Sequence, residues 1–393
     1  MGLFDKFKNI STSIAVLEDK CSAFFHIVVE DLLSSTEAVI DGRKVILAGT
    51  NNYLGLPLRQ ECIKAACDAI QREGTGTTGS RMANGTYSSH IEFEKDLSDF
   101  FGRSTTIVFT TGYSANLAML STLVGPRDTV LLDADCHASI YDGCRLGGVQ
   151  VFRFHHNDVE DLEKRLKRLK SQDGEVLIVV EGLYSMLGDR APLADIVALK
   201  EKYHAYLLVD EAHSLGVLGE KGRGLAEEAG VEAEVDFIVG TFSKSLGSVG
   251  GFCTSNHEEL EIIRYASRPY VFTASSSPAN IAAAKAALSI IRSEPQLRVR
   301  LWENATALYG RLKDMGFKVG PEPSPIIPVR CDRIEEAFRI WNGLLENGVY
   351  VNMVLPPATP DGTALLRCSL SAAHSRQQVE KIAQAFGAVQ SPV

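Results

Sequence analysis

Six short apolar runs, separated by stretches of helix length, constrain this chain more than any other feature. Ile107-Val108-Phe109, Val130-Leu131-Leu132, Val149-Gln150-Val151-Phe152, Val176 to Val180, Tyr206 to Val209 and Phe237-Ile238-Val239 have the length and composition of buried strands. Strands covered on both faces need no polar alternation, and parallel neighbours need a long crossover between them. The alternation therefore predicts a mostly parallel sheet with helices on both faces, an α/β domain over residues 56–280. Upstream, Glu37-Ala38-Val39-Ile40 and Lys44-Val45-Ile46-Leu47 flank Asp41-Gly42, a hairpin signal, so residues 1–55 read as an arm made of a helix and a hairpin. Downstream come a long helical stretch, Pro325 to Val329, Leu365 to Ser369 and a helix near Gln377 to Phe386. They predict a smaller α+β domain over residues 281–393.

The chemistry sits where the runs end. Leu207, Leu208 and Val209 deliver Asp210 at the carboxyl end of a strand, where open α/β sheets bind ligands. Phe237 to Val239 lead into Gly240-Thr241-Phe242-Ser243-Lys244-Ser245, which sets an amine between hydroxyls beside the glycine-rich segment Gly247 to Gly251. A buried Asp holds a pyridinium nitrogen protonated and a lysine forms a Schiff base, so Asp210, His213, Thr241, Ser243 and Lys244 in this order predict pyridoxal 5′-phosphate chemistry. Taken singly, a lysine in a Ser-rich loop is a solvated side chain and an Asp ending a strand is a capping or turn residue. The combination is what departs from those ordinary readings.

Other candidates follow the same logic. Thr110 to Asn116 close a strand and open a helical run, so the amides of Gly112 and Tyr113 can face the cofactor phosphate. Gly74-Thr75-Gly76-Thr77-Thr78-Gly79 matches a dinucleotide-binding pattern, but Cys62 to Glu73 before it is helical where that fingerprint demands a strand. Its glycines are expected instead to let backbone approach a substrate or a second subunit, with Ser80 and Arg81 alongside. His137, after another strand, is placed to stack on a pyridine ring, while His213 and Ser185 are candidates for the ring hydroxyl. Arg367 offers a bidentate fork for an amino-acid carboxylate, with a structural ion pair as the alternative.

Bulk properties remove other classes. The net charge is −9 and no long Lys/Arg block occurs, which disfavours nucleic acid. No apolar run approaches the roughly 18 residues of a membrane span, and no signal peptide is recognisable, so a soluble, cytoplasmic protein is expected. Leu3, Phe4, Phe7 and Ile10, flanked by Lys6 and Lys8, form a helical stripe expected to pack on a partner subunit; transient contact with the inner-membrane surface is the alternative. Cys21, Cys62, Cys67, Cys136, Cys144, Cys253, Cys331 and Cys368 show no C-x-x-C pair and read as reduced core thiols. His and Cys nowhere take metal-ligand spacing, so no metal is expected.

From about residue 37 to the carboxyl end these segments resemble the α-oxoamine synthases. That family consists of fold-type-I, aspartate aminotransferase-like enzymes dependent on pyridoxal phosphate. Gly76 to Thr86, Asp133 to Gly143, Arg268 to Ser275, and Val351-Asn352-Met353 with Pro356 to Pro360 carry the likeness, and they are most similar to the branch that joins L-serine to palmitoyl-CoA. The resemblance implies a homodimer with active sites at the subunit interface. It also implies a decarboxylative condensation that yields 3-oxosphinganine, CoA and CO2, the first step of sphingolipid synthesis. By position it makes Lys244 the Schiff-base lysine and general base, Asp210 the pyridinium partner, His137 the stacking residue and His213 a ring-hydroxyl contact. It sets Gly112, Tyr113, Thr241 and Ser243 around the cofactor, Thr273 at the phosphate of the neighbouring subunit, and Asn52 and Arg367 at the serine. Asn51, where some relatives have Tyr, and Leu355, where they have Arg, depart from the family pattern. A synthase using glycine or alanine with another acyl-CoA, an aminotransferase and a non-catalytic partner subunit stay open as alternatives; Lys244 counts against the last.

Overall fold

The computed structural model describes residues 2–8, 11, 27–169, 173–356, 359 and 362–390. The chain divides into two units, Asn51–Glu303, and Met1–Thr50 with Asn304–Val393. Among the described residues the strands are β1 (Val29–Ser34), β2 (Glu37–Ile40), β3 (Arg43–Leu47), β4 (Thr105–Phe109), β5 (Thr129–Asp133), β6 (Gln150–Phe154), β7 (Val176–Glu181), β8 (Tyr206–Asp210), β9 (Phe237–Thr241), β10 (Gly251–Ser255), β11 (Ile326–Cys331), β12 (Val349–Tyr350), β13 (Asn352–Val354) and β14 (Ala364–Ser369).

In the unit Asn51–Glu303 seven strands form one sheet in the order β4-β10-β9-β8-β7-β5-β6. From β6 through β9 every neighbouring pair is parallel, as expected for five of the six apolar runs, while the sixth, on β4, pairs antiparallel with β10. Leu207, Leu208 and Val209 on β8 and Ile178 to Val180 on β7 are fully buried, which explains why these stretches carry no polar alternation. The strand the sequence does not announce is β10, which runs antiparallel between β4 and β9. Gly-Phe-Cys-Thr-Ser lacks an apolar run, and its place depends on a close fit: a Cβ on Gly240 of β9 would lie 2.4 Å from the ring of Phe252 on β10. Gly240 thus makes room for the ring that stacks on Phe242, with centroids 6.0 Å apart. The segment before Gly74 is the helix Gln60–Glu73, so no strand precedes the glycines. At Gly85 the close approach is within the segment itself, since a Cβ there would lie 2.3 Å from the Gly79 carbonyl oxygen.

The other unit joins both ends of the chain. β2 and β3 form the expected hairpin, with Asp41 at φ 52° and Gly42 at φ 67° supplying the left-handed turn that Asp-Gly favours. β12 adds to β3 in parallel register, Val349 opposite Ile46, and β1 extends the other edge. A three-stranded antiparallel sheet, β11-β14-β13, is tied to that hairpin by a bond from the Ser369 amide to the Ala48 carbonyl, 2.7 Å. The last helix, Arg376–Val389, begins at a capping box formed by Ser375 and Gln378. In the amino-terminal arm the described residues show a 3-10 turn at Asp5–Phe7 and the strand β1. Leu3 and Phe4 stand 81% and 82% exposed, while Ile10 and Cys21 lie outside the described residues. Cys62, Cys136, Cys144, Cys253, Cys331 and Cys368 are buried free thiols, whereas Cys67 is exposed. Among the described residues no helix is long and apolar enough to cross a membrane.

Candidate active site

A cavity of about 280 Å³ lies beside the carboxyl ends of β7, β8 and β9, and its wall includes Asp210, Lys244, His137 and His213. Each arrives by the same device, a buried parallel strand that ends and hands a polar residue to the rim. Asp210 closes β8, and Lys244 follows β9 by one turn. His137 begins the helix Ala138–Gly147 a few residues after β5.

One amide connects two of these groups. Asn116, buried in the helix Gly112–Leu123, donates to Asp210 Oδ2 at 2.7 Å and to Ser139 Oγ at 3.0 Å. The Ala212 amide occupies Asp210 Oδ1 at 2.9 Å, so the carboxylate is fixed in place while 5% exposed. Ser139 Oγ, accepting from Asn116, has its own hydrogen free to donate to His137 Nδ1 at 2.8 Å, and the Ser139 amide donates there as well, at 3.2 Å. Two donors at Nδ1 select the tautomer protonated on Nε2. Burial lowers the His137 pKa against the opposing pull of Asp210, which keeps the ring neutral.

The opposite wall suits an anion. Thr111 caps the helix Gly112–Leu123 by accepting from the Ser114 amide at 2.9 Å, leaving the first amides of that helix directed at the cavity edge. Gly112 approaches so closely that a Cβ there would lie 2.8 Å from Thr241 Cβ. Thr241 and Ser243 exchange a hydroxyl bond of 2.9 Å on the same wall. Tyr113 is 43% exposed, bonds Asp142 through its hydroxyl and meets the His137 ring edge-on, with centroids 6.4 Å apart.

Tyr53, Asn116 and Ser139 belong to the site although no local pattern in the sequence announces them, and Glu181 belongs to it too. Tyr53, fully buried, puts its hydroxyl 2.7 Å from His213 Nδ1 and orients that ring. Glu181 ends β7 directly opposite Asp210 on β8, lines the cavity and accepts the His137 amide at 2.5 Å. Burial first, and the charge of Asp210 second, push its pKa well above the usual carboxylate range, against the attraction of Lys244. Glu181 thus lies where its surroundings favour the protonated form. The only signal for it was its place at the end of an apolar run, the same signal that marked Asp210.

Other candidates lie elsewhere. Ser185 and Asn52 belong to the same unit but are not in the cavity wall, and Thr273 sits half-buried after the short helix Arg268–Val271. Arg367 is on β14 of the other unit, buried, donating to Ser369 Oγ at 2.8 Å. Arg81 is turned into a buried ion pair with Glu94 at 2.9 Å. Of the Pro356 to Pro360 loop, Pro357, Ala358 and Pro360 lie outside the described residues.

Pyridoxal phosphate matches this set of donors. The helix start with Gly112, Thr241 and Ser243 suits a phosphate, the fixed Asp210 carboxylate suits a protonated ring nitrogen, and the Lys244 amine shares the cavity with both.

The model of the aminotransferase class I and II family matches residues 43–386. The serine palmitoyltransferase of Caulobacter vibrioides is 54% identical over 389 residues, 99% of this chain and 96% of that protein. The serine palmitoyltransferase of Sphingomonas paucimobilis is 51% identical over 366 residues, 93% of this chain and 87% of that one. A solved structure described as SPT with the PLP internal aldimine superposes with a TM-score of 0.96 at 48% identity, covering 99% of this chain and 98% of its own.

Proposed function

This chain belongs to the class I and II aminotransferase family, and from that premise we propose that it condenses L-serine with a long-chain acyl-CoA, palmitoyl-CoA above all. The products are 3-oxosphinganine, CoA and CO2, and the cofactor is pyridoxal 5′-phosphate. The observation that carries this reading is the single cavity in which Lys244, Asp210 and the start of the helix Gly112–Leu123 meet. The relatives named above supply the choice of serine and acyl-CoA.

When bound, pyridoxal phosphate supplies an electron sink for the negative charge that develops at the amino-acid Cα. Lys244 holds it, and its Nζ is the base that takes and returns the Cα proton. Asp210 keeps a proton on the ring nitrogen, and the Asn116 and Ala212 bonds stop that carboxylate from rotating away. His213, oriented by Tyr53, faces the ring hydroxyl, with Ser185 as a second contact. Gly112, Tyr113, Thr241 and Ser243 would hold the phosphate, and His137 would stack on the ring and align the incoming thioester. Asn52 and Arg367 address the serine, Arg367 through its carboxylate.

Two copies form the working enzyme, with Thr273 reaching the partner's phosphate; the neighbouring Phe272, 74% exposed, supports a contact there. The enzyme works in the cytoplasm, its amino-terminal residues touching the partner or the inner-membrane surface.

Product mass after incubation with labelled serine and thioesters of graded chain length tests the reaction. A serine-derived long-chain amino ketone with CO2 release is the expected result. A product made only from glycine or alanine would overturn the choice of amino acid, and transamination without CO2 would overturn the reaction class.

A further inference from the structure

Behind the cavity wall a histidine joins the two loops that carry His137 and Ser185. His156 follows β6 and places Nδ1 2.9 Å from Asp133 Oδ1 and Nε2 2.7 Å from Asp189 Oδ2. Neither ring nitrogen can accept from an ionised carboxylate, so both donate, and the ring between the two carboxylates is an imidazolium. Its side chain is 19% exposed, those of Asp133 and Asp189 are 1% and 15%, and Tyr184 lies edge-on with centroids 4.4 Å apart. Asp135 Oδ2 is a further 3.8 Å from the ring. Burial alone would lower the pKa of His156, but the bonds to Asp133 and Asp189 outweigh it and raise it to about 10.

The carboxylates grip backbone on either side. Asp133 Oδ1 also takes the Asp135 amide at 2.9 Å, and Oδ2 takes the Asn157 amide at 2.9 Å, which defines the turn from Asp133 to His137. Asp189 Oδ2 also takes Asn157 Nδ2 at 3.0 Å, and the Asp189 carbonyl accepts the Tyr184 amide at 2.9 Å, closing the loop that contains Ser185. Asn157 itself sits at φ 56°, a left-handed conformation that a non-glycine residue adopts at a cost and that these bonds hold.

We propose that His156 is a positioning residue, a cationic pin that sets the height of the Asp133–His137 turn over the cavity by bridging it to the Tyr184–Asp189 loop. The proposal rests on the reading that His137 aligns the reactants. It predicts that loss of the pin displaces His137 without removing a group from the cavity itself.

The test compares the parent enzyme with His156→Asn and Asp189→Asn, after the parent's condensation of serine with palmitoyl-CoA has been measured, so that a failed reaction class is separated from a failed pin. In folded, cofactor-loaded protein His156→Asn is expected to lower kcat by about tenfold to a hundredfold, the scale of a small misplacement of a reacting group. The KM for serine should change little, and Asp189→Asn should give a smaller loss of the same kind. A purely structural role would lower the melting temperature and leave kcat per loaded site intact. Should His156→Asn fail to fold, nitrogen-15 spectra of histidine-labelled parent enzyme decide. Two protonated ring nitrogens at His156 through neutral pH support the pin. Titration of that ring near its ordinary value of 6.5, or a kcat within about twofold of the parent in folded His156→Asn, would overturn it.

Discussion

Two histidines, one in each unit, have been withdrawn from water with opposite results. His156 lies between Asp133 and Asp189 and is raised to about 10. His374, 2% exposed, meets backbone instead: its Nδ1 accepts the Ser371 amide at 2.9 Å, and burial takes it down to about 4 against its backbone hydrogen bonds. Burial disfavours the charge in both, so the neighbours decide. The rim of the seven-stranded sheet keeps charge on His156 by setting Asp133 and Asp189 on either side of it. The buried side chains on the strands of the other unit are apolar apart from Ser369 and Arg367, the latter a proposed substrate contact. Charge persists on a buried histidine where carboxylates face it, and is lost where only backbone does.

Lys244→Ala is the strongest challenge to that division. It is expected to abolish turnover, a loss of about 10⁴-fold or more, while thermal unfolding shifts little, because Lys244 is only part-buried. Retained turnover, measured as CoA release, would remove the rim's claim to the chemistry. Next, Asp210→Asn preserves shape and the bond from Ala212 but removes the negative charge facing the ring nitrogen. Turnover should fall about a thousandfold, part of it because Asn116, which donates to Oδ2, then faces a second amide donor there. An unchanged rate would mean that the buried carboxylate serves packing alone.

The third prediction concerns the contrast between the histidines themselves, and the signs differ. His374 has a depressed folded value, so its contribution is complete above 6.5 and is lost as pH falls from 6.5 toward 4, about 3 kcal/mol in all. His156 has a raised folded value, so its contribution is complete below 6.5 and is lost as pH climbs toward 10. Urea unfolding across pH should show His374→Gln flattening the acid limb and His156→Asn the alkaline limb. If either variant flattened the other limb, the assignment of charge to the two regions would be reversed.

What the sequence made legible follows the same line. The parallel strands β5, β7, β8 and β9 were readable because burial on both faces demands an apolar run, and that run points to its own last residue, hence Asp210. β10 was not, since Gly251 to Ser255 qualify as a central strand only once Gly240 opens space for Phe252. β1 was not, because five of its six residues are exposed, and an exposed strand leaves no burial pattern to read. The same holds within the site. Lys244, Asp210 and His137 come from local motifs, but Asn116, Tyr53 and Glu181 act through partners distant in sequence, which only the tertiary fold brings within hydrogen-bonding reach.

Glu181 sharpens the comparison at the smallest scale, because it lies on that rim and yet its surroundings favour the protonated form. Its raised pKa comes from burial first and from Asp210 second, against the attraction of Lys244. A glutamine side chain reproduces a protonated carboxyl, with an oxygen to accept the His137 amide and a donor where the acid proton was. Glu181→Gln should therefore cost less than about tenfold in kcat, whereas Glu181→Ala, which leaves that amide unpaired, should cost more. Stability supplies the sign. A carboxyl with a raised folded value contributes most below its unfolded value and loses that contribution as pH rises, so Glu181→Gln should gain on the parent in melting temperature as pH increases above about 4.5. A hundredfold loss in the glutamine variant, or a melting temperature that falls behind the parent's with rising pH, would show that Glu181 is ionised. The rim would then hold adjacent charges of the same sign, with the His137 amide donating to one and Asn116 to the other.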